Sequence, residues 1–413
     1  MFQDRLTRDL YLEIRKIRLI DPHSHIDPHN PTSKSLEDIL GYHYYTELAH
    51  SAGMSKDELD PSRLPLERVH SVMSFMDRYA NTAQYGWFVD IARTFLNHKS
   101  DQVTRDDANA LFQQAEATFN EADWENQVFE KSNLEKIFLT NEFDDNLTGF
   151  DSNRYVPCLR TDTLVFKLTN RDVRTRLANV TGVEVGDWES VQQAMDKLFQ
   201  HFVQHGARAC AISLPPTFSP TSVSSAQLSE DDAEQLSHAV FWLIAEKCRE
   251  YKLPFDLMIG VNRSVYRDGV HQGQDLFDQR TSLIQYADLF NAFPEVTFPI
   301  SVLSSGQNQE LVSYSWIFPN VVTNGHWWYS NIPFYIAGDC QARLQAVPHT
   351  KQIGYYSDAY KLEFVYPKFD MYRKILARIL ADHFVRDGVM SEEGAINLAK
   401  GLLRENVQKI FGV

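Results

Sequence analysis

The stretch IRLIDPHSHIDPHN, residues 17–30, decides the fold. A run of branched apolar residues ends at Asp21, and His23 and His25 then stand one residue apart. Residues at i and i+2 of a strand point to the same face. At the C-terminal end of a first barrel strand, both imidazoles would project into the mouth, where they can chelate one divalent metal. Taken alone, an HxH pair is a weak motif. Two surface histidines in a turn, next to Pro22 and Pro28, is the alternative reading. Position in the barrel argues for the metal.

Outward from this segment, short apolar runs recur at 134–143, 154–162, 207–214, 254–260, 295–305, 320–325 and 352–358. Each is too short for a typical helix, and most are rich in Val, Ile, Phe, Tyr or Thr. Amphipathic stretches lie between most of them, at 187–206, 228–251, 274–293 and 370–384. The second of these follows Ser229 and an acidic first turn, which are helix start signals. Alternation of strand and helix implies parallel pairing with helical crossovers. Eight strands predict an α/β protein of the closed (β/α)8 TIM type. An open doubly wound sheet is the alternative, but no GxGxxG follows the first strand. Residues 1–29 and 134–413 are expected to build the barrel. Residues 30–133 read as a helical insertion between the first and second strands, packed over the mouth.

Composition narrows the partners. The chain has 413 residues, 43% of them hydrophobic, and a formal charge of −15. That charge disfavours nucleic acid and anionic membranes, which need a basic surface. A small anionic substrate fits if a few cations are held locally. Cys158, Cys210, Cys248 and Cys340 are widely separated and read as reduced thiols of a cytoplasmic protein. The first residues carry no uninterrupted apolar run of the kind a signal peptide needs, and no stretch is long enough to span a bilayer.

The last strand supplies an anion. QIGYYSD ends in Asp358, which would lie beside the first strand once the barrel closes. Two His and one Asp make a three-ligand site open to substrate. A helix N-cap is the plainer role for Asp358.

On these segments the chain resembles the uronate isomerases of the amidohydrolase superfamily. DPHSH matches the family's first-strand motif, and YHYYTELAHSAGM is similar to its DHYKWR segment. MIGVNR resembles HIGxxR, and NGHWWYSN resembles GSGWWFND. SDAYKLEFVYPKFDMYRKIL is similar to TDSRSF…YxRHEYFRRIL, and ENVQKIF to NNAQRYF. The matches run in order from about residue 17 to 411.

The resemblance implies one divalent metal, zinc by expectation, on His23, His25 and Asp358. It implies that His43 and Tyr44 reach the sugar from the insertion, with Asp358 and Tyr44 as candidates for proton transfer. Arg263 matches the family's Arg, and Arg160 is a second cation for the substrate carboxylate. Trp327 and Trp328 would line the site. The activity implied is aldose–ketose isomerisation of D-glucuronate or D-galacturonate, with a homo-oligomer left open. Two positions depart from the pattern: Met258 stands where HIG has His, and Tyr360 where TDSR has Arg. The fourth strand reads CAISLPP in place of an SDHG region. A metal-dependent hydrolase of a carboxylated sugar or lactone, and a non-catalytic sugar-acid binder, are the other readings.

Overall fold

The computed structural model describes residues 4–413. Eight parallel strands form the barrel: β1 Leu19–Asp21, β2 Leu134–Phe138, β3 Tyr155–Val156 and Cys158–Arg160, β4 Ala209–Leu214, β5 Phe255–Ile259, β6 Phe298–Ser301, β7 Val321–Asn324 and β8 Gln352–Ile353. β3 is interrupted at Pro157, which has no N–H to give to a ladder. Its first half pairs with β2 and its second with β4, and the order continues through β5, β6 and β7 to β8. Beyond β8 the chain meets β1 through Asp358 N–H to His23 O (3.1 Å) and His25 N–H to Ala359 O (2.7 Å).

Side-chain alternation separates two layers. On β4, Cys210, Ile212 and Leu214 pack outward against helices such as Trp188–Gln204 and Ala233–Tyr251. Ala209 and Ala211 face an inner cluster with Ile20, Phe138, Val322 and Ile353. The C-terminal helix Asn406–Phe411 adds Val407 and Phe411 to that inner cluster, with the Phe411 ring 4.9 Å from Phe138. A separate small cluster of Met258, Val261, Leu303, Trp327 and Tyr356 gathers where the strands end. Local signals explain the crossovers: Asp187 caps the helix after it by accepting from Ser190 N–H at 2.9 Å, and Gly206 follows it at φ +88°.

Between β1 and β2 the chain is helical, over Leu36–Leu40, His43–Ser51, Pro65–Met73, Ala83–Phe95, Ala108–Phe119 and Trp124–Ser132. Trp87, Phe88, Phe95 and Trp124 bury against residues of the helix Val365–Leu380 in one core cluster. No helix among the described residues is long and apolar enough to cross a membrane.

Two expected elements differ from what is observed. The stretch 274–293 is helical only over Leu283–Tyr286 and Ala287–Ala292. Its first part turns back as Leu276–Phe277, antiparallel to Val261–Asn262, because Asp275 and Asp278 pair with Arg263 and Asn262 across the hairpin. In 352–358 only Gln352–Ile353 joins the ladder, and Asp358 lies in the loop beyond it.

Candidate active site

The HSH segment is fixed by its middle residue. The Ser24 hydroxyl donates to Phe138 O at 2.6 Å, and the Thr140 hydroxyl donates to Ser24 O at 2.5 Å, tying this turn to the end of β2. His23 and His25 therefore leave on the opposite side, their rings 5.2 Å apart and nearly perpendicular. Asp358 meets them from the β8 loop, its Oδ1 lying 3.6 Å from His23 Nε2 and 3.3 Å from His25 Nε2. One ligand atom from each of the three lies within 4.8 Å of the others. His23 Nε2 and Asp358 Oδ1 are buried without a hydrogen-bond partner. Buried polar atoms are rarely left so, and two nitrogens with a carboxylate oxygen suit a borderline divalent ion. The residues present fit a metal.

Asp358 is held in a left-handed conformation, φ +52°. Asp tolerates this region better than most residues, yet it carries strain of the kind found at functional sites. Its N–H donates to His23 O, and its own carbonyl accepts from the Tyr42 hydroxyl at 2.9 Å. Burial alone would raise the Asp358 carboxyl, but the two imidazoles against it outweigh burial and hold it well below the usual range. Deeper in the barrel, burial pushes Asp256 up to about 6; its Oδ2 lies 3.9 Å from His23 Nδ1.

Every residue singled out from the sequence lines one cavity of about 190 Å³ around this trio. His43 and Tyr44 enter from the start of the helix His43–Ser51; the Tyr44 hydroxyl is 3.5 Å from Asp358 Oδ2, a long contact. Arg160 faces the cavity while its Nε donates to Asp162 Oδ2 at 3.2 Å. Arg263 donates to Asp275 Oδ2 at 2.6 Å and to Ser213 Oγ at 3.1 Å. Tyr360 stacks on His25 with ring centres 4.8 Å apart. Trp327 is buried in the apolar wall with Met258; Trp328 follows at φ +43° and stacks on Tyr329.

Several lining or supporting residues carried no assignment from the sequence. Asp275 and Gln272 come from the hairpin loop, where nothing in the local pattern marks them. Glu47 holds His43 Nδ1 at 2.7 Å, leaving Nε2 for the cavity. Its i,i+4 spacing on a helix was the available signal.

Comparisons with known proteins bear on the chain as a whole. The glucuronate isomerase (UxaC) family profile matches residues 1–411. Uronate isomerase of Thermotoga sp. (strain RQ2) is 20% identical over a 450-residue alignment covering 100% of this chain and 98% of the relative. The crystal structure of uronate isomerase from Thermotoga maritima matches with a TM-score of 0.89 at 18% identity, covering 100% of both chains. That of glucuronate isomerase from Caulobacter crescentus gives a TM-score of 0.89 at 18% identity, covering 100% of this chain and 97% of the other. At such identities the structural likeness speaks for the barrel fold, and the profile match over nearly the whole chain speaks for descent. The chain belongs to the glucuronate isomerase family.

Proposed function

We propose that the cavity around His23, His25 and Asp358 interconverts a hexuronate aldose and its ketose, D-glucuronate with D-fructuronate, D-galacturonate with D-tagaturonate, or both. One observation carries the assignment to this cavity: the His–His–Asp trio and two guanidinium groups, Arg160 and Arg263, line the same cavity. Family membership favours isomerisation over the hydrolase and binder readings. Residues 30–133 act in this account as the cap that delivers His43 and Tyr44.

The reaction moves the C2 hydrogen to C1 as a proton and the O2 hydroxyl proton to O1, through an enediol, with no net water. Arg160 and Arg263 grip the substrate carboxylate by charge-assisted pairing. Each is already partnered by an acid, Asp162 or Asp275, which orients its fork. Asp358 is the group we assign to proton movement between the carbons, with Tyr44 and His43 serving the oxygens. A divalent ion on His23, His25 and Asp358, zinc in our reading, would supply Lewis acidity to the substrate oxygens. Trp327 and Met258 wall the cavity on its apolar side. Tyr360, stacked on His25, presents a phenol where the family pattern has an Arg. Four buried, unpaired cysteines suit a reducing cytoplasm.

Proton NMR of the zinc-loaded protein with D-glucuronate and, separately, D-galacturonate tests this reading, with a chelated sample as control. Ketose signals that vanish on chelation are expected with at least one sugar. No ketose with either sugar would overturn it.

A further inference from the structure

Behind the cavity lies a lysine that the chemistry above does not use. Lys368 sits on the helix Val365–Leu380 and is wholly buried. Its ammonium donates to Ser357 O at 2.7 Å and to the Tyr42 hydroxyl oxygen at 3.0 Å. It also lies 4.9 Å from the centre of the Trp87 ring, 5.0 Å from that of Tyr42 and 5.2 Å from that of Tyr44. The Tyr42 hydroxyl in turn donates to Asp358 O. One cation thus reaches two successive carbonyls of the loop that carries Asp358, the first directly and the second through a phenol. A buried ammonium is costly unless its protons are well received, so the rings and carbonyls around it are held to a narrow geometry.

We propose that Lys368 is a positioning residue that locks the Ser357–Asp358 backbone, keeping Asp358 left-handed and its carboxylate aimed at His23 and His25. The ring contacts extend the same hold to Tyr44. The inference rests on the reading of Asp358 as a metal ligand.

The test measures zinc affinity by chelator competition, together with kcat and KM, for Lys368→Met, Tyr42→Phe and Asp358→Ala. Loss of a residue that orients a metal ligand weakens binding about 10- to 100-fold. Lys368→Met and Tyr42→Phe are each expected to weaken zinc by that factor and to lower kcat, with KM within about 2-fold of wild type. Should Lys368→Met fail to fold, Lys368→Gln, which keeps a donor but removes the charge, takes its place, with the same weakening expected. If Asp358→Ala loses zinc while the other folded variants keep wild-type affinity, the proposal is overturned. If Asp358→Ala keeps zinc, the ligand reading beneath it falls instead.

Discussion

Replacing Gly325 with Ala adds one methyl group at the point where β7 enters the cavity. A Cβ built there would lie 2.3 Å from Tyr356 Cδ1 and 2.4 Å from Cε1. Gly325 also sits at φ +44°, a conformation that costs an L residue about 1–2 kcal/mol. Tyr356 cannot easily retreat: its ring is fully buried, and its hydroxyl donates to Ser301 Oγ at 2.9 Å. Overpacking of this kind costs about 1–3 kcal/mol, so the total penalty is about 2–5 kcal/mol. An unfolding entropy of about 2.1 cal/mol/K per residue makes each kcal/mol worth about 1 °C for a chain this long. Gly325→Ala should therefore lower Tm by about 2–5 °C. Because the Tyr356 ring centre lies 5.2 Å from that of His23, a shift there also reaches the trio. A displacement near 1 Å can cost about 100-fold in rate, and a fall of that order in kcat/KM is expected. Gly338→Ala is the matched control, on the exposed side of the helix Pro333–Ala346 with nothing within 4 Å of its Cβ. It should raise stability by about 0.5–1 kcal/mol. Differential scanning calorimetry and steady-state kinetics on both variants decide the matter. Wild-type Tm and activity in Gly325→Ala would refute the claim that this close approach fixes the cavity wall.

Further outcomes follow from the same geometry. Glu47→Gln keeps an acceptor for His43 Nδ1 but removes the charge, and should lower kcat about 10-fold with Tm unchanged; wild-type kcat would take Glu47 out of the account. Arg263→Met removes a charge-assisted contact worth about 1.5–3 kcal/mol and should raise KM about 10- to 100-fold; an unchanged KM would detach Arg263 from the carboxylate. Burial opposes a proton on His23, but Asp358 and Asp256 outweigh it and hold the His23 pKa above its ordinary value. Metal and proton compete for the same ring, so loading the metal-free protein near neutral pH should release a proton, and affinity should fall as pH drops through that pKa. Titration calorimetry in two buffers of different ionisation enthalpy reads this directly, and buffer-independent heats would contradict it.

The eight strands were legible because each is a short apolar run bounded by turns, a pattern that survives without knowledge of the partners. His23 and His25 were legible through the two-residue period of a strand continued into its loop. The stretch 274–293 misled because its apolar spacing suits a helix, while Asp275 and Asp278 bond across a hairpin to residues 12 and 16 positions earlier. The left-handed turn at Asp358 had no sequence marker, since Ser-Asp-Ala occurs in many conformations. Lys368 reaches Tyr42 across 326 residues, a contact that only the closed barrel creates.

In our proposal His23 and His25 supply two of the three metal ligands, with Asp358 as the third. The most direct test is to measure metal content and ketose formation together in the His23→Ala/His25→Ala variant, with circular dichroism to verify folding. A folded protein with neither stoichiometric metal nor ketose is expected. Stoichiometric metal together with ketose at the wild-type rate would contradict it.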